Sequence, residues 1–205
     1  MIPAHYQFDT FHGKRIHLGV TGSIAAYKAL DLTRAFLHLH LQVGATLTAA
    51  AQKFVTELSF SALGAEPLYT GMFSQGANFD HLEPSVADAL IVAPATANIL
   101  AKMAHGLADD LLSCQILAFP GPIVVAPAMN PRMWNAPATR HNWSILGERG
   151  VTRIEPDCGH GACGDTGQGR LAPLDEIFIR TLCLLSPQDL RGRKIMLTLG
   201  PTREY

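Results

Sequence analysis

Residues 15–41 read RIHLGVTGSIAAYKALDLTRAFLHLHL, and the change of pattern inside this stretch decides the fold. RIHLGV is a short apolar run without the polar alternation of a half-exposed strand, so it reads as a strand buried on both faces. From Ser23 the period changes. Ala25, Ala29, Leu32, Phe36 and Leu39 then fall on one face of a helix. The same alternation recurs along the chain. VGATLTA (43–49), ADALIVAPA (87–95) and GPIVVAPA (121–128) read as buried strands, with helical patterns following at residues 52–63, 96–119 and 131–149. Buried strands separated by helices imply a parallel sheet covered on both faces, since a parallel connection must cross over the sheet. The expected architecture is an open, doubly wound α/β domain. Ligands of such sheets collect at the carboxyl ends of the strands, which points to the turns TGSIAA, TAAAQK, APATAN and APAMNP.

At 205 residues the chain is long enough for one domain with a sizeable core. Its net charge is −1, and the basic residues are scattered apart from Arg191, Arg193 and Lys194, which argues against a nucleic-acid partner. The opening MIPAHYQFDTFHGKR lacks the apolar core of a secretory signal, and no later segment has the apolar length needed to span a bilayer. The expected location is cytoplasmic, with no membrane partner. Four cysteines, at 114, 158, 163 and 183, are too few and too irregularly spaced to staple a domain of this size. Composition changes near Ser186: SPQDLRGRK reads as a linker, and KIMLTLGPTREY as a new strand and glycine turn. The expected organisation is one domain over residues 1–185, followed by a linker and a single further strand over 186–205.

Gly22 and Ser23 lie where a strand meets a helix, so backbone N–H groups and the helix dipole converge there. Ser23 reads either as an ordinary helix cap or as a hydroxyl for a phosphate oxygen. The turn is not GxGxxG, and a single mononucleotide phosphate suits it better than a dinucleotide. APATAN and APAMNP each follow an apolar strand with small residues and proline, which lets a flat ring approach the backbone. Thr96 and Asn130 are also plausible helix caps in their own right. His81, in NFDHLEPSVADAL just ahead of a strand with Asp80 and Glu83 nearby, is one of nine histidines and reads as a surface or capping residue, with only its position to single it out. The two tryptophans read as core or interface.

The segment PDCGHGACGDTGQGRLAP (156–173) has two cysteines and a histidine among five glycines, with little to anchor a helix or strand. Its Cys158 and Cys163 lack CxxC spacing, and four zinc ligands are not at hand, so no metal site is expected. The glycines suggest instead a loop that closes over a ligand and presents one cysteine to it.

Together, VTGSIAAYK, APATAN, AKMAHGLADDLLS, VVAPAMNPRMW and ACGDTGQGRL resemble the phosphopantothenoylcysteine decarboxylase domain of the bifunctional coenzyme A biosynthesis flavoproteins, over about residues 13–185 and in the family's order. GRKIMLTLGPTREY is similar to the opening of the synthetase domain that follows in those proteins, of which only the first strand would be present, as in a truncated chain. The resemblance implies a Rossmann-like fold of the homo-oligomeric flavin-containing cysteine decarboxylase type. It implies FMN, with its phosphate at Gly22, Ser23 and Ile24 and near Thr48 and Ala49, and its ring system near Pro94, Ala95, Thr96 and Ala97. His81 matches the family's catalytic histidine, and Cys163 the active-site cysteine of ACGD. Asn130, with Ala128 and Met129 in the PAMN motif, matches the asparagine that contacts the substrate carboxylate. Arg170 matches the arginine after the loop, although Leu171 stands where methionine is more usual and Thr96 where relatives often carry serine.

The implied reaction converts 4′-phosphopantothenoylcysteine to 4′-phosphopantetheine by transient oxidation of the cysteine thiol, loss of CO2 and re-reduction of the enethiolate. Without an electron sink, loss of CO2 would leave an unstabilised carbanion. The resemblance further implies a homotrimer or an assembly of trimers, with the flavin near a subunit interface. Two other activities share parts of this pattern. A peptidyl-cysteine decarboxylase stops at the enethiol and lacks the reducing-step cysteine, whereas Cys163 is present here. A noncatalytic FMN-binding regulatory protein of the same fold need not retain His81, Asn130 and Cys163 together.

Overall fold

A computed structural model describes residues 9–72, 80–160, 164–198 and 200. The opening stretch folds as expected into strand β1 (Arg15–Val20), a 3-10 turn at Ile24–Tyr27 and helix α1 (Lys28–Leu37). There follow β2 (Gln42–Leu47), α2 (Glu57–Ser61), β3 (Leu68–Tyr69), β4 (Ala89–Ala95), α3 (Ala97–His105), α4 (Leu111–Ala118) and β5 (Ile123–Pro127). The chain continues through α5 (Pro131–Asn135), α6 (Pro137–Glu148), β6 (Thr152–Arg153), β7 (Asp157–His160), β8 (Thr166–Arg170) and α7 (Leu174–Leu185). β1 to β6 form one sheet in the order β3-β2-β1-β4-β5-β6, and every pairing in it is parallel. The order reverses beside β1, which makes the carboxyl ends of β1 and β4 the switch point of a doubly wound sheet.

Both faces of the sheet are dry, which is why its strands show no polar alternation. Ala89, Ile91 and Ala93 of β4 join one apolar cluster, with Ile16, Leu18 and Val20 of β1, Leu32 and Phe36 of α1, and Ile177 and Phe178 of α7. Leu90 and Val92 point the other way, into a second cluster with Val125, Ile99, Leu100, Leu112 and both tryptophans.

Three expectations need correcting. The helical pattern over 96–119 is two helices, because Gly106 ends α3 in the left-handed conformation and Asp110 starts α4 as a capping box with Ser113. Likewise the pattern over 131–149 is interrupted at Ala136, an extended residue before the proline that starts α6. Finally, the glycine-rich segment is not without regular structure. Its described residues form the antiparallel pair β7 and β8, a separate two-stranded sheet. Beyond α7, the described residues form turns and no strand.

Candidate functional site

The carboxyl-end turns form a continuous ledge, and each link is a specific contact. The turns after β1 and β2 touch at Gly22, where an added Cβ would lie 2.4 Å from the Ala50 Cβ. Glycine is required there for close approach. Ser23 caps the 3-10 turn by accepting from the Ala25 N–H at 3.3 Å, and the Thr48 hydroxyl accepts from the Ala51 N–H at 3.2 Å. A hydroxyl that accepts in this way retains its proton for an outside oxygen. Ile24 and Ala49 are exposed on the same rim.

Thr21 ties this rim to the turn after β4. Its buried hydroxyl donates to the Pro94 carbonyl at 2.7 Å and accepts from the Thr96 N–H at 3.0 Å. Pro94 and Ala95 end the strand, and Thr96 caps α3 with Ala97 as the first helical residue. The ledge then passes to β5, since the Ala128 N–H donates to the Ala95 carbonyl at 2.9 Å. From there the Met129 N–H donates to the Gly169 carbonyl of β8, also at 2.9 Å. An added Cβ at Gly169 would stand 2.5 Å from the Met129 carbonyl oxygen, so β8 can lie against the PAMN turn only with glycine here. This glycine therefore serves close packing and not loop flexibility.

Asn130 works at both ends of its amide. Its Oδ1 accepts from the Arg132 N–H at 2.7 Å as the cap of α5, which turns Nδ2 the other way, where it donates to the Asp165 carboxylate at 2.7 Å. Asp165 is also paired with Arg132 at 2.8 Å. Arg170 is exposed on β8 and packs across Gly159 of β7. Cys163 lies outside the described residues.

His81 is exposed and lies just ahead of a 3-10 turn, Glu83–Val86, that leads into β4. Its neighbour Asp80 is anchored over β2 by a chain of buried polar groups that the sequence reading did not single out: His17, Thr46 and Gln115. Asn130 leaves β5, three strand positions from β2, or roughly 14 Å across the sheet at ordinary strand spacing. One chain thus brings the four ledge turns together with Asn130, but anchors the segment bearing His81 at a distance from it. His17 is visible in retrospect as the polar residue inside RIHLGV, and Gln115 as the polar residue inside the apolar helix LLSCQILA. Burial holds the His17 imidazole neutral, its pKa lowered to about 3.

The AKMAHGLADDLLS run is structural in this chain. Lys102 of α3 reaches both Asp109 and Asp110 at 2.5 Å, locking the α3–α4 joint.

The chain matches the Flavoprotein family over residues 8–183. It belongs to that family. This flavoprotein is 42% identical over 196 residues to the Escherichia coli (strain K12) coenzyme A biosynthesis bifunctional protein CoaBC, covering 94% of this chain and 48% of that protein. The chain therefore spans about half the length of the curated relatives it matches. Among solved structures, a cysteine-to-serine variant of PPC decarboxylase complexed with pantothenoylaminoethenethiol superposes with a TM-score of 0.74 at 33% identity, over 84% of this chain and 98% of that one. The FMN binding protein AtHal3 superposes with a TM-score of 0.72 at 34% identity, over 84% and 96%.

Among the described residues of this flavoprotein, no helix is long and apolar enough to cross a membrane, and no group of three or more His, Cys, Asp or Glu is placed to hold a metal ion.

Proposed function

We propose that this flavoprotein is an FMN-dependent phosphopantothenoylcysteine decarboxylase, converting 4′-phosphopantothenoylcysteine to 4′-phosphopantetheine in the cytoplasm as a step of coenzyme A biosynthesis. The observation that carries the reading is the Asn130 amide, whose Nδ2 holds a carboxylate, that of Asp165, at 2.7 Å at the end of the ledge. An amide locked by its cap to present N–H groups to a carboxylate is what orientation of a departing carboxylate requires.

The ledge fits a flavin mononucleotide. Gly22, Ser23 and Ile24, with Thr48 and Ala49, form a rim of backbone N–H groups and hydroxyls at a helical N-terminus, suited to one phosphate. Pro94, Ala95, Thr96 and Ala97 offer small side chains on backbone fixed by Thr21, a surface that a flat ring can approach. FMN held there would supply two-electron redox chemistry to the substrate C–S unit, as acceptor and then as donor.

The chain's own groups do the rest. Asn130 Nδ2, flanked by Ala128 and Met129, holds and orients the carboxylate, and Arg170 stands on β8 for the substrate's anionic end. The His81 imidazole assists the proton movements of the oxidative half, either as the base that takes the thiol proton or by stabilising the charge that develops there. The Cys163 thiol delivers a proton to the enethiolate left by decarboxylation. The family neighbour carrying an ethenethiol compound is a cysteine-to-serine variant, which supports assigning protonation of that species in the reductive step to a cysteine.

The same reading makes the protein a homotrimer or an assembly of trimers. Ile24, Tyr27, Phe54 and Leu58 are 61%, 57%, 51% and 76% exposed around the first two turns, an apolar rim that a second copy would cover. Such a copy would also supply a His81 to the Asn130 end of the ledge. Residues 1–185 constitute the FMN-binding unit, and 186–205 a linker and the opening sequence of a following domain, whose described residues form no strand here.

The test is incubation of the purified protein with 4′-phosphopantothenoylcysteine and identification of the product by mass. The preparation should be yellow, release FMN on denaturation and form 4′-phosphopantetheine. Cys163→Ser should still release CO2 but accumulate an unsaturated product. A normal yield of the saturated product from that variant would overturn the role of Cys163, and a colourless protein that cannot be reconstituted would overturn the cofactor.

A further inference from the structure

The buried polar chain beneath the His81 segment has a direction that its hydrogen bonds determine. Gln115 Nε2 lies 2.9 Å from the Asp80 carbonyl, which can only accept, so the amide nitrogen donates there and Oε1 must act as acceptor. The Thr46 hydroxyl lies 2.6 Å from that Oε1 and therefore donates to it. The Thr46 oxygen is then left to accept from His17 Nε2 at 2.7 Å, so His17 carries its proton on Nε2. The neutral state imposed on His17 by burial agrees with this single tautomer.

All three side chains are almost fully buried, and Asp80 is 6% exposed. A second tie lies one turn further along, where the Tyr69 hydroxyl donates to Glu83; Tyr69 also lies tilted against His17, with ring centroids 5.8 Å apart. His81 sits between these two anchored residues, Asp80 and Glu83.

We propose that Gln115 is a positioning residue for His81: the directional relay from His17 through Thr46 and Gln115 to the Asp80 carbonyl fixes the backbone from which the His81 imidazole projects. This rests on the reading of His81 as the group that handles the substrate proton. The main chain sets the origin and direction of every side chain, so a tie on the Asp80 carbonyl, one residue before His81, acts on where that imidazole reaches. Polar groups are costly to bury, and this chain of three spans β1, β2 and α4 to end on one loop carbonyl. A purely apolar filling would pack the same volume without addressing that carbonyl.

The test is Gln115→Met, which keeps volume and removes both amide bonds, measured as FMN-loaded protein. The expected result is a fall in kcat of about 10- to 100-fold, the size of effect that an ångström-scale misplacement produces, with KM and FMN content unchanged. Hydrogen exchange at the amides of residues 81–83, 85 and 86, read on the apo-protein, should accelerate while the global unfolding midpoint changes little. Thr46→Val should act in the same direction from one link further away, and Thr46→Ser, which keeps the hydroxyl, should restore the wild-type values; this pair serves if Gln115→Met does not fold. In a His81→Asn background Gln115→Met should cause no further loss. If His81→Asn itself has wild-type kcat, the underlying reading of His81 fails. If His81→Asn is inactive but Gln115→Met and Thr46→Val keep wild-type kcat and exchange rates, the positioning role is refuted. Equal losses from Gln115→Met in both backgrounds would refute it as well.

Discussion

Gly22→Ala offers a sharp test of the ledge, because its effect follows from one close approach. The new Cβ would sit 2.4 Å from the Ala50 Cβ and 3.1 and 3.2 Å from that residue's carbonyl carbon and Cα. Carbon atoms pack comfortably at about 3.5–4.0 Å, so the turns after β1 and β2 must separate by about 1 Å. None of the three crowded atoms is the end of a flexible side chain, so the strain cannot be relieved by a rotamer change. Overpacking of this kind costs about 1–3 kcal/mol. The separation also pulls apart the two halves of the rim assigned to the phosphate, and a lost hydrogen bond to a charged group is worth about 1.5–3 kcal/mol. At 1.4 kcal/mol per tenfold, the FMN dissociation constant should rise by about 10- to 100-fold.

Flavin fluorescence titration of the apo-protein measures this directly, and denaturant unfolding of the same preparation separates lost affinity from lost stability. Gly71→Ala is the control, since nothing lies within 4 Å of its added Cβ. If Gly22→Ala binds FMN as tightly as wild type and unfolds at the same denaturant concentration, the two turns do not form a rigid cradle and the phosphate lies elsewhere.

Two further perturbations probe the supporting structure. Thr21→Val removes a buried hydroxyl that makes two hydrogen bonds, leaving the Pro94 carbonyl and the Thr96 N–H without it; urea unfolding should show a loss of about 1–3 kcal/mol, with a shifted flavin absorption spectrum. Asp110→Ala removes the α4 cap and should lose about 0.5–2 kcal/mol in the same assay. Burial acts to raise the Asp110 pKa, but the Lys102 ammonium and the Ser113 N–H outweigh it and hold the carboxyl below its usual range. A depressed folded pKa means stability present above the unfolded value, about 3.9, and lost as pH falls through the folded one. The wild-type protein should therefore lose this increment in acid, and the acid limb of the Asp110→Ala stability profile should be correspondingly flatter.

The sheet was legible because its strands are apolar without alternation, and β4 shows why: Ile91 and Val92, adjacent in sequence, enter opposite cores. Helix boundaries were less so. The apolar period runs on through Gly106 and through Ala136, and only local backbone conformation and capping decide that the helices stop there. Ser23, Thr96 and Asn130 were readable as caps, and all three do cap. For Asn130 the plain role and the functional one coexist, since the cap uses Oδ1 and leaves Nδ2 for a carboxylate. What composition concealed was everything that depends on pairing across distance. Thr21 looks like the first residue of a turn until its hydroxyl is seen between two backbone groups of another strand. His17, Thr46 and Gln115 are three unremarkable polar residues until the fold sets them in a row.

The pair β7 and β8 shares no ladder with the main sheet and is held to the PAMN turn through the approach at Gly169 and the hydrogen bonds of Met129 and Asn130. It is an outrigger fastened to a platform. Changes between its strands leave the register of β1 to β6 untouched, so the flavin platform and the part proposed to choose the final oxidation level of the product can diverge independently. Under the proposed function, grafting β7 and β8 between relatives, with Gly169 and the PAMN turn kept, is thus a route to exchanging product identity while leaving the proposed oxidative chemistry in place.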